Sequence, residues 1–161
     1  MKASSASSKR PRASPKPSTV AQAELPFTNL RFAVRIEGLD STRAVEVIFP
    51  TARIVSLPRK RRAVQFDTLV IRRGLTQSTE WYDWWNEARR STRAVPRRRV
   101  TVVLQNADGA EGMRWLFPDS VPLNYSLSPL NALVGAAVIE SLELSVGGFE
   151  VDRPHSSRHG S

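Results

Sequence analysis

The chain has 161 residues and no cysteine, which excludes disulfides, thiolate metal centres and thiol nucleophiles. Its only histidines, His155 and His159, stand in a polar run near the end, so no His-based triad or zinc set can form within a folded region. No apolar run approaches the roughly 20 residues that span a bilayer. The basic N-terminus has no apolar h-region of a secretory signal, and folding in the cytoplasm is expected. A phosphate-cradling glycine loop is also missing, because Gly147-Gly148 follows a strand pattern and opens no helix. Asp67, Glu80, Asp83 and Glu87 are acids that could pair for general acid-base work, but the last three follow ordinary surface-helix spacing. The sequence therefore offers no catalytic residue, no metal site and no cofactor, and an enzyme is the reading furthest from its residues.

Positive charge is abundant, with a formal net charge of +9. Five cations, Lys2, Lys9, Arg10, Arg12 and Lys16, fall within the first 23 residues, which contain no acid. That segment has almost nothing to bury, so residues 1–25 are expected to be a disordered basic tail. Residues 26–151 are expected to form one domain and 152–161 a loose C-terminal tail. A chain this basic favours polyanionic or acidic partners.

The organising stretch runs from Leu75 to Arg90. Trp81, Trp84, Trp85 and Ala88 recur at i, i+3, i+4 and i+7, one face of a helix, while Glu80, Asp83 and Glu87 lie off it. Ser78 or Thr79 can cap its start, and Arg89 and Arg90 suit its negative end. Burying one tryptophan hides about 150–250 Å², so three supply on the order of 10 kcal/mol. This face is expected to plug a broad apolar surface made by the rest of the chain.

That rest reads as strands. Leu30, Phe32, Val34 and Ile36 alternate with polar residues up to the turn at Gly38. Val45, Val47 and Phe49 repeat the pattern to Pro50, with Arg53 to Leu57 as a candidate extension, and the two segments are close enough to form a hairpin. Arg59, Lys60, Arg61 and Arg62 form a cationic run that belongs at a loop tip or on a wet surface. Ala63 to Arg73 is the strongest strand pattern and is apolar on both sides. A second arginine run, Arg97, Arg98 and Arg99, precedes Val100, Val102 and Leu104. The turn residues Asn106 to Gly109 then lead back through Met113, Trp115 and Phe117, with Pro118 closing the strand. Residues 119–134 read as irregular. In the last strand, Ala136 to Val146, Glu140 shares a phase with Val138, Leu142 and Leu144. It is either a buried acid paired with an arginine or the mark of a bulge. About seven strands and one helix imply an all-β sandwich or barrel, with the helix at an open end.

The order of motifs resembles the contractile-phage tail-tube protein family, which includes inner-tube proteins of extracellular contractile injection systems. The resemblance is carried by residues 29–38, 69–76, Trp81-Tyr82-Asp83-Trp84, Val100 to Leu104, Trp115 to Pro118, Leu130-Asn131-Ala132 and 137–144. It covers roughly residues 29–150. The resemblance implies a β-barrel protomer that forms hexameric rings, which stack into a hollow tube inside a contractile sheath. It also implies inner strands lining the lumen and an early hairpin between rings, with segments 45–57 and 63–73 as candidates. Implied partners are further copies of the chain, sheath and baseplate proteins, and a protein or DNA cargo in the lumen, with no membrane anchor. The implied setting is a virion or tail-like particle assembled in the cytoplasm.

This chain differs from that pattern in a shorter segment between Gly38 and Phe66, a long basic N-terminus and heavy arginine runs. These features leave open a specialised ring of the same fold, a tube initiator at the baseplate or a terminal ring. A nucleic-acid-binding β-module is the reading from a different class. It draws on Arg59 to Arg62, Arg97 to Arg99 and the tail, yet the tryptophans are phased for burial and offer no stacking platform.

Overall fold

The structure is a computed structural model that describes residues 27–28, 31–40 and 43–153. The expected basic tail at 1–25, and His155 and His159 in the expected C-terminal tail, lie outside the described residues. Among the described residues, nine strands and one helix follow in order: β1 (Phe32–Ile36), β2 (Ala44–Ile48), β3 (Ala52–Leu57), β4 (Arg61–Phe66), β5 (Leu69–Gly74), α1 (Glu80–Arg90), β6 (Arg98–Gln105), β7 (Glu111–Leu127), β8 (Ile139–Val146) and β9 (Glu150–Asp152).

The main sheet is antiparallel in the order β1-β6-β7-β8-β5-β2, with β9 added beside β7. The β6–β7 hairpin pairs the two apolar faces read from the sequence, Val100 with Phe117, Val102 with Trp115 and Leu104 with Met113. Gly109 takes φ of 86° in its turn, the left-handed region a residue without Cβ enters at least cost. The expected hairpin between the first two strands does not form. β1 pairs β6 and β2 pairs β5, which places these two strands at opposite ends of the sheet. The long 63–73 pattern is likewise two strands. It breaks at Asp67-Thr68, so β3 and β4 stand apart as a separate two-stranded arm.

Strand β7 runs straight past Pro118 and through much of the segment read as irregular. Two register shifts make this possible, one between Phe117 and Ser120 opposite β6 and one between Pro122 and Asn124 opposite β8. Each is a bulge, where a residue without an N–H costs no ladder bond and the strand bends. The lower half of β7 thereby serves β6 and β9, and the upper half serves β8. One bent strand carries the chain around a common core. That core gathers Val34, Ile36, Leu69, Ile71, Val100, Val102, Phe117, Leu142 and Leu144 with Trp81 and Trp84 of the helix.

Helix α1 starts at Glu80, after a Thr79 cap that makes no side-chain bond to a helix amide. Thr79 instead donates its hydroxyl to Asp83 (2.7 Å), and Glu80 accepts the backbone N–H of Asp40 (3.2 Å). The helix is therefore positioned chiefly by its buried face. Replacing Trp84 with Ala is expected to cost about 3–5 kcal/mol, a large share of a typical net stability of about 5–15 kcal/mol. Urea unfolding followed by circular dichroism measures this, and a loss below about 1 kcal/mol would show that the helix is not held by its core face.

Candidate functional site

The four residues of the helix face do not share one environment. Trp81 and Trp84 are fully buried, while Trp85 and Ala88 are half-buried at the rim. Trp84 donates its indole N–H to the Pro96 carbonyl (3.1 Å), tying the link after the helix to the core. Trp85 donates to the carbonyl of Leu123 (3.2 Å), which the second bulge of β7 turns away from the ladder. Its ring lies among those of Tyr82 and Tyr125, with centroids 5.9 and 6.4 Å away. Neither buried tryptophan is free to stack on a nucleic-acid base.

Beneath the helix lies a buried ion pair. Arg73 of β5 and Glu140 of β8 are direct cross-strand partners, and the Arg73 Nε donates to the Glu140 Oε1 at 2.5 Å. Glu140 is 1% exposed and accepts on its other oxygen from the Tyr125 hydroxyl (2.9 Å). No register shift interrupts β8 against β5 here. The Arg73 guanidinium also sits 4.2 Å from the centroid of the Trp81 ring, a cation–π contact in a desolvated place. Burial, and then the bond to Glu140, push the Tyr125 phenol up to about 12. Three strands and the helix thus meet at one charged group. The sequence signal for Arg73 was an arginine in phase with Leu69 and Ile71; for Tyr125 there was none, because its strand was read as irregular.

The basic residues divide by location. Arg59, Lys60, Arg61 and Arg62 are all exposed at the tip of the β3–β4 arm. Arg59 and Lys60 have φ of 64° and 57°, a conformation that costs roughly 1–2 kcal/mol in a residue other than glycine. Arg97 and Arg99 are exposed as well. Arg98 is turned inward: it donates to the Glu37 carbonyl (2.8 Å) and lies 5.5 Å from the Trp84 ring centroid. A Cβ on Gly38 would meet its Nη1 at 2.5 Å, so this turn accepts only glycine without displacing the arginine. Arg98 is thus half-buried within the protomer, unlike Arg97 and Arg99.

Across the outside of β1, β6, β7 and β9 runs a further charge network. Glu111 accepts from Arg114 and from Arg35 (3.2 Å), and Arg114 also faces Asp152. The Arg114 bond, and then the other charges, hold the Glu111 carboxyl below its ordinary value against a smaller opposing effect of burial. Surface pairs of this kind contribute little to stability.

Three exposed features were not read from the sequence. The arm presents a cross-strand apolar pair, Ile54 opposite Val64, with Ile54 71% exposed. The outer edges of β1 and β2, at the two ends of the main sheet, are unpaired among the described residues, and between them opens an apolar groove of about 710 Å³. Its lining includes Phe27, Phe32, Val45, Phe49 and Trp115. Finally, the 128–138 loop between β7 and β8 exposes Leu130 and Leu133 almost completely. Unpaired strand edges and uncovered apolar surface mark places where another chain adds.

The model of the T4-like virus tail tube protein gp19 family matches residues 28–150. No curated protein sequence matches the chain. Among solved structures, the fold is similar to that in the cap of the anti-feeding prophage, the tube-terminating cap, with a TM-score of 0.64 at 12% identity, covering 82% of this chain and 94% of that one. It is similar to a chain of the PVC sheath-tube complex, an extracellular contractile injection system in its extended state, with a TM-score of 0.64 at 18% identity over 81% and 94%. Hcp1 from Flavobacterium johnsoniae follows with a TM-score of 0.57 at 14% identity over 76% and 95%. At such identities these likenesses concern the fold.

The buried pair generates a contrast that mutagenesis can read. Glu140→Ala strands the Arg73 charge and is expected to cost about 3–5 kcal/mol, whereas Arg73→Met with Glu140→Leu is expected to be near neutral or stabilising. Chemical denaturation of both variants measures the difference. Equal losses in the two would mean that the pair is not the desolvated contact described.

Proposed function

Because the chain belongs to the T4-like virus tail tube protein gp19 family, it is a structural tube subunit of a contractile tail or tail-like injection system, and we propose that it closes into six-membered rings that stack into a hollow conduit. The observation that carries this reading is the coincidence of the family match over 28–150 with a sheet whose two end strands, β1 and β2, each keep one edge unpaired among the described residues. A head-to-tail contact between unlike edges makes a ring when its rotation closes. The protomer is built for this: its core is sealed by the helix, and its edges are left open.

The β3–β4 arm is assigned the contact between successive rings. Among the described residues it pairs with no other strand, carries an exposed apolar pair, and ends in four cations, two of which, Arg59 and Lys60, are held in a costly turn conformation. Strain kept at an exposed tip is consistent with a role outside the protomer. Arg97 and Arg99 are assigned to the surface that faces an acidic partner, a sheath protein or an anionic cargo. No catalytic step is assigned to any residue. Among the described residues, no helix is long and apolar enough to cross a membrane.

Replacing Arg59, Lys60, Arg61 and Arg62 together with Ser is expected to leave thermal unfolding unchanged, because all four are exposed. Rings should still form, while stacking into tubes is reduced and loses its dependence on salt. Electron microscopy across a salt series measures both. Tubes of unaltered length and salt response would remove the arm tip from the ring-to-ring contact, and single rings formed by the unsubstituted chain would favour an initiator or terminal ring.

A further inference from the structure

The 128–138 loop and the groove are an exposed apolar projection and an exposed apolar recess on one molecule. The loop holds no ionisable side chain, in a chain of which 24% of residues are charged. Leu130 is 81% exposed, Leu133 95%, and Val134 is exposed beside them. An ordinary solvated loop has little reason to carry such residues at its tip.

The loop is also preformed. Ser128 and Ile139 tie its base, with the Ser128 N–H donating to the Ile139 carbonyl (2.8 Å) and the Ile139 N–H donating to the Ser128 hydroxyl (2.9 Å). Inside it, Asn131 accepts the Leu133 N–H on its side chain (3.0 Å) and the Val134 N–H on its carbonyl (3.2 Å). Binding such a loop costs less ordering entropy than binding a floppy one.

The groove exists because the sheet does not close. Phe32 and Trp115 would face the interior of a complete barrel but remain reachable between β1 and β2. Phe27 roofs this end and lies so near Gly112 that a Cβ there would stand 2.4 Å from its ring. The one carboxylate of the lining, Glu46, is paired with Arg72. The recess therefore asks for an uncharged apolar guest.

Within one protomer the loop is pinned at its base, beyond Leu127, and the aromatic end of the groove at Trp115 lies twelve residues back along β7. We infer that Leu130, Leu133 and Val134 of one copy insert into the groove between β1 and β2 of the next, as the contact that closes the ring. The inference rests on the ring reading above. Unlike faces meeting in this way form a heterologous contact, the type that generates closed rings, and the loop is one part of an interface that needs about 1,200–2,000 Å² in all.

The absence of native cysteine makes the test direct. Thr28→Cys and Val45→Cys mark the groove and Leu133→Cys marks the loop; all three positions are exposed. Each groove variant is mixed with the loop variant, treated with a short bismaleimide and run on a denaturing gel. A dimer band is expected only in the mixtures. Leu133→Asp in the full chain is expected to lose rings with no change in thermal unfolding. Rings that form without a cross-link from either groove position overturn the inference, and this is also the outcome if the segment preceding Phe27 covers the groove. Rings retained by Leu133→Asp overturn it as well. If the unsubstituted chain forms no ring at all, the ring reading itself fails and the inference with it.

Discussion

Arg73 is held between the face of Trp81 and the carboxylate of Glu140, and the geometry of the protomer follows from that contact. A guanidinium this far from water depends on both contacts, because loss of the carboxylate strands a buried charge and loss of the indole removes its stack. Keeping both fixes the register of β5 against β8 and sets the helix over them. The same carboxylate takes the Tyr125 hydroxyl, which brings in the upper half of β7. Four elements are thereby locked at one point in the core.

A second constraint is the length of β7. One strand serves two halves of the sheet because its bulges at Pro118-Asp119 and Leu123 let it bend without losing its place in the ladder. The bulge at Leu123 releases a carbonyl, and Trp85 takes it. Helix placement and strand curvature therefore depend on each other. The curvature brings Phe49 against Trp115, 5.0 Å between ring centroids, but leaves the gap above them open. An incompletely closed barrel is a poor final state for a monomer and a ready one for a ring.

The residues reveal some of this more readily than the rest. Period-two alternation and the turn at Asn106 to Gly109 suffice for the β6–β7 hairpin, because both its strands and its turn are local. Helical phase marks Trp81 and Trp84, although it does not separate them from Trp85, which only the position of the Leu123 bulge leaves at the rim. Pairing of β1 with β6 and β2 with β5 is invisible locally, since it depends on contacts some 25 to 70 residues apart and adjacency in sequence points to the wrong partner. Pro118 reads as a stop unless the bulge around it is known. The division at Asp67-Thr68 lies inside a run, 63–73, whose strand-like alternation continues across it, so the second strand of the arm merges with β5. The groove has no sequence signal, being a product of strands that fail to meet. The loop did carry a broad one: it lies within a run of twenty residues, 120–139, without a charged side chain.

The family match, the free edges of β1 and β2 among the described residues and the exposed arm are the observations behind the proposal that neighbouring copies complete the protomer. The central claim is that identical copies make a ring around a channel. Electron microscopy of the purified full chain over a range of concentrations, with class averaging of end-on views, tests it most directly. Six-fold rings with a central hole, stacked into tubes as concentration rises, are expected. A chain that remains monomeric at every concentration, or that assembles only as compact particles with no channel, would contradict it.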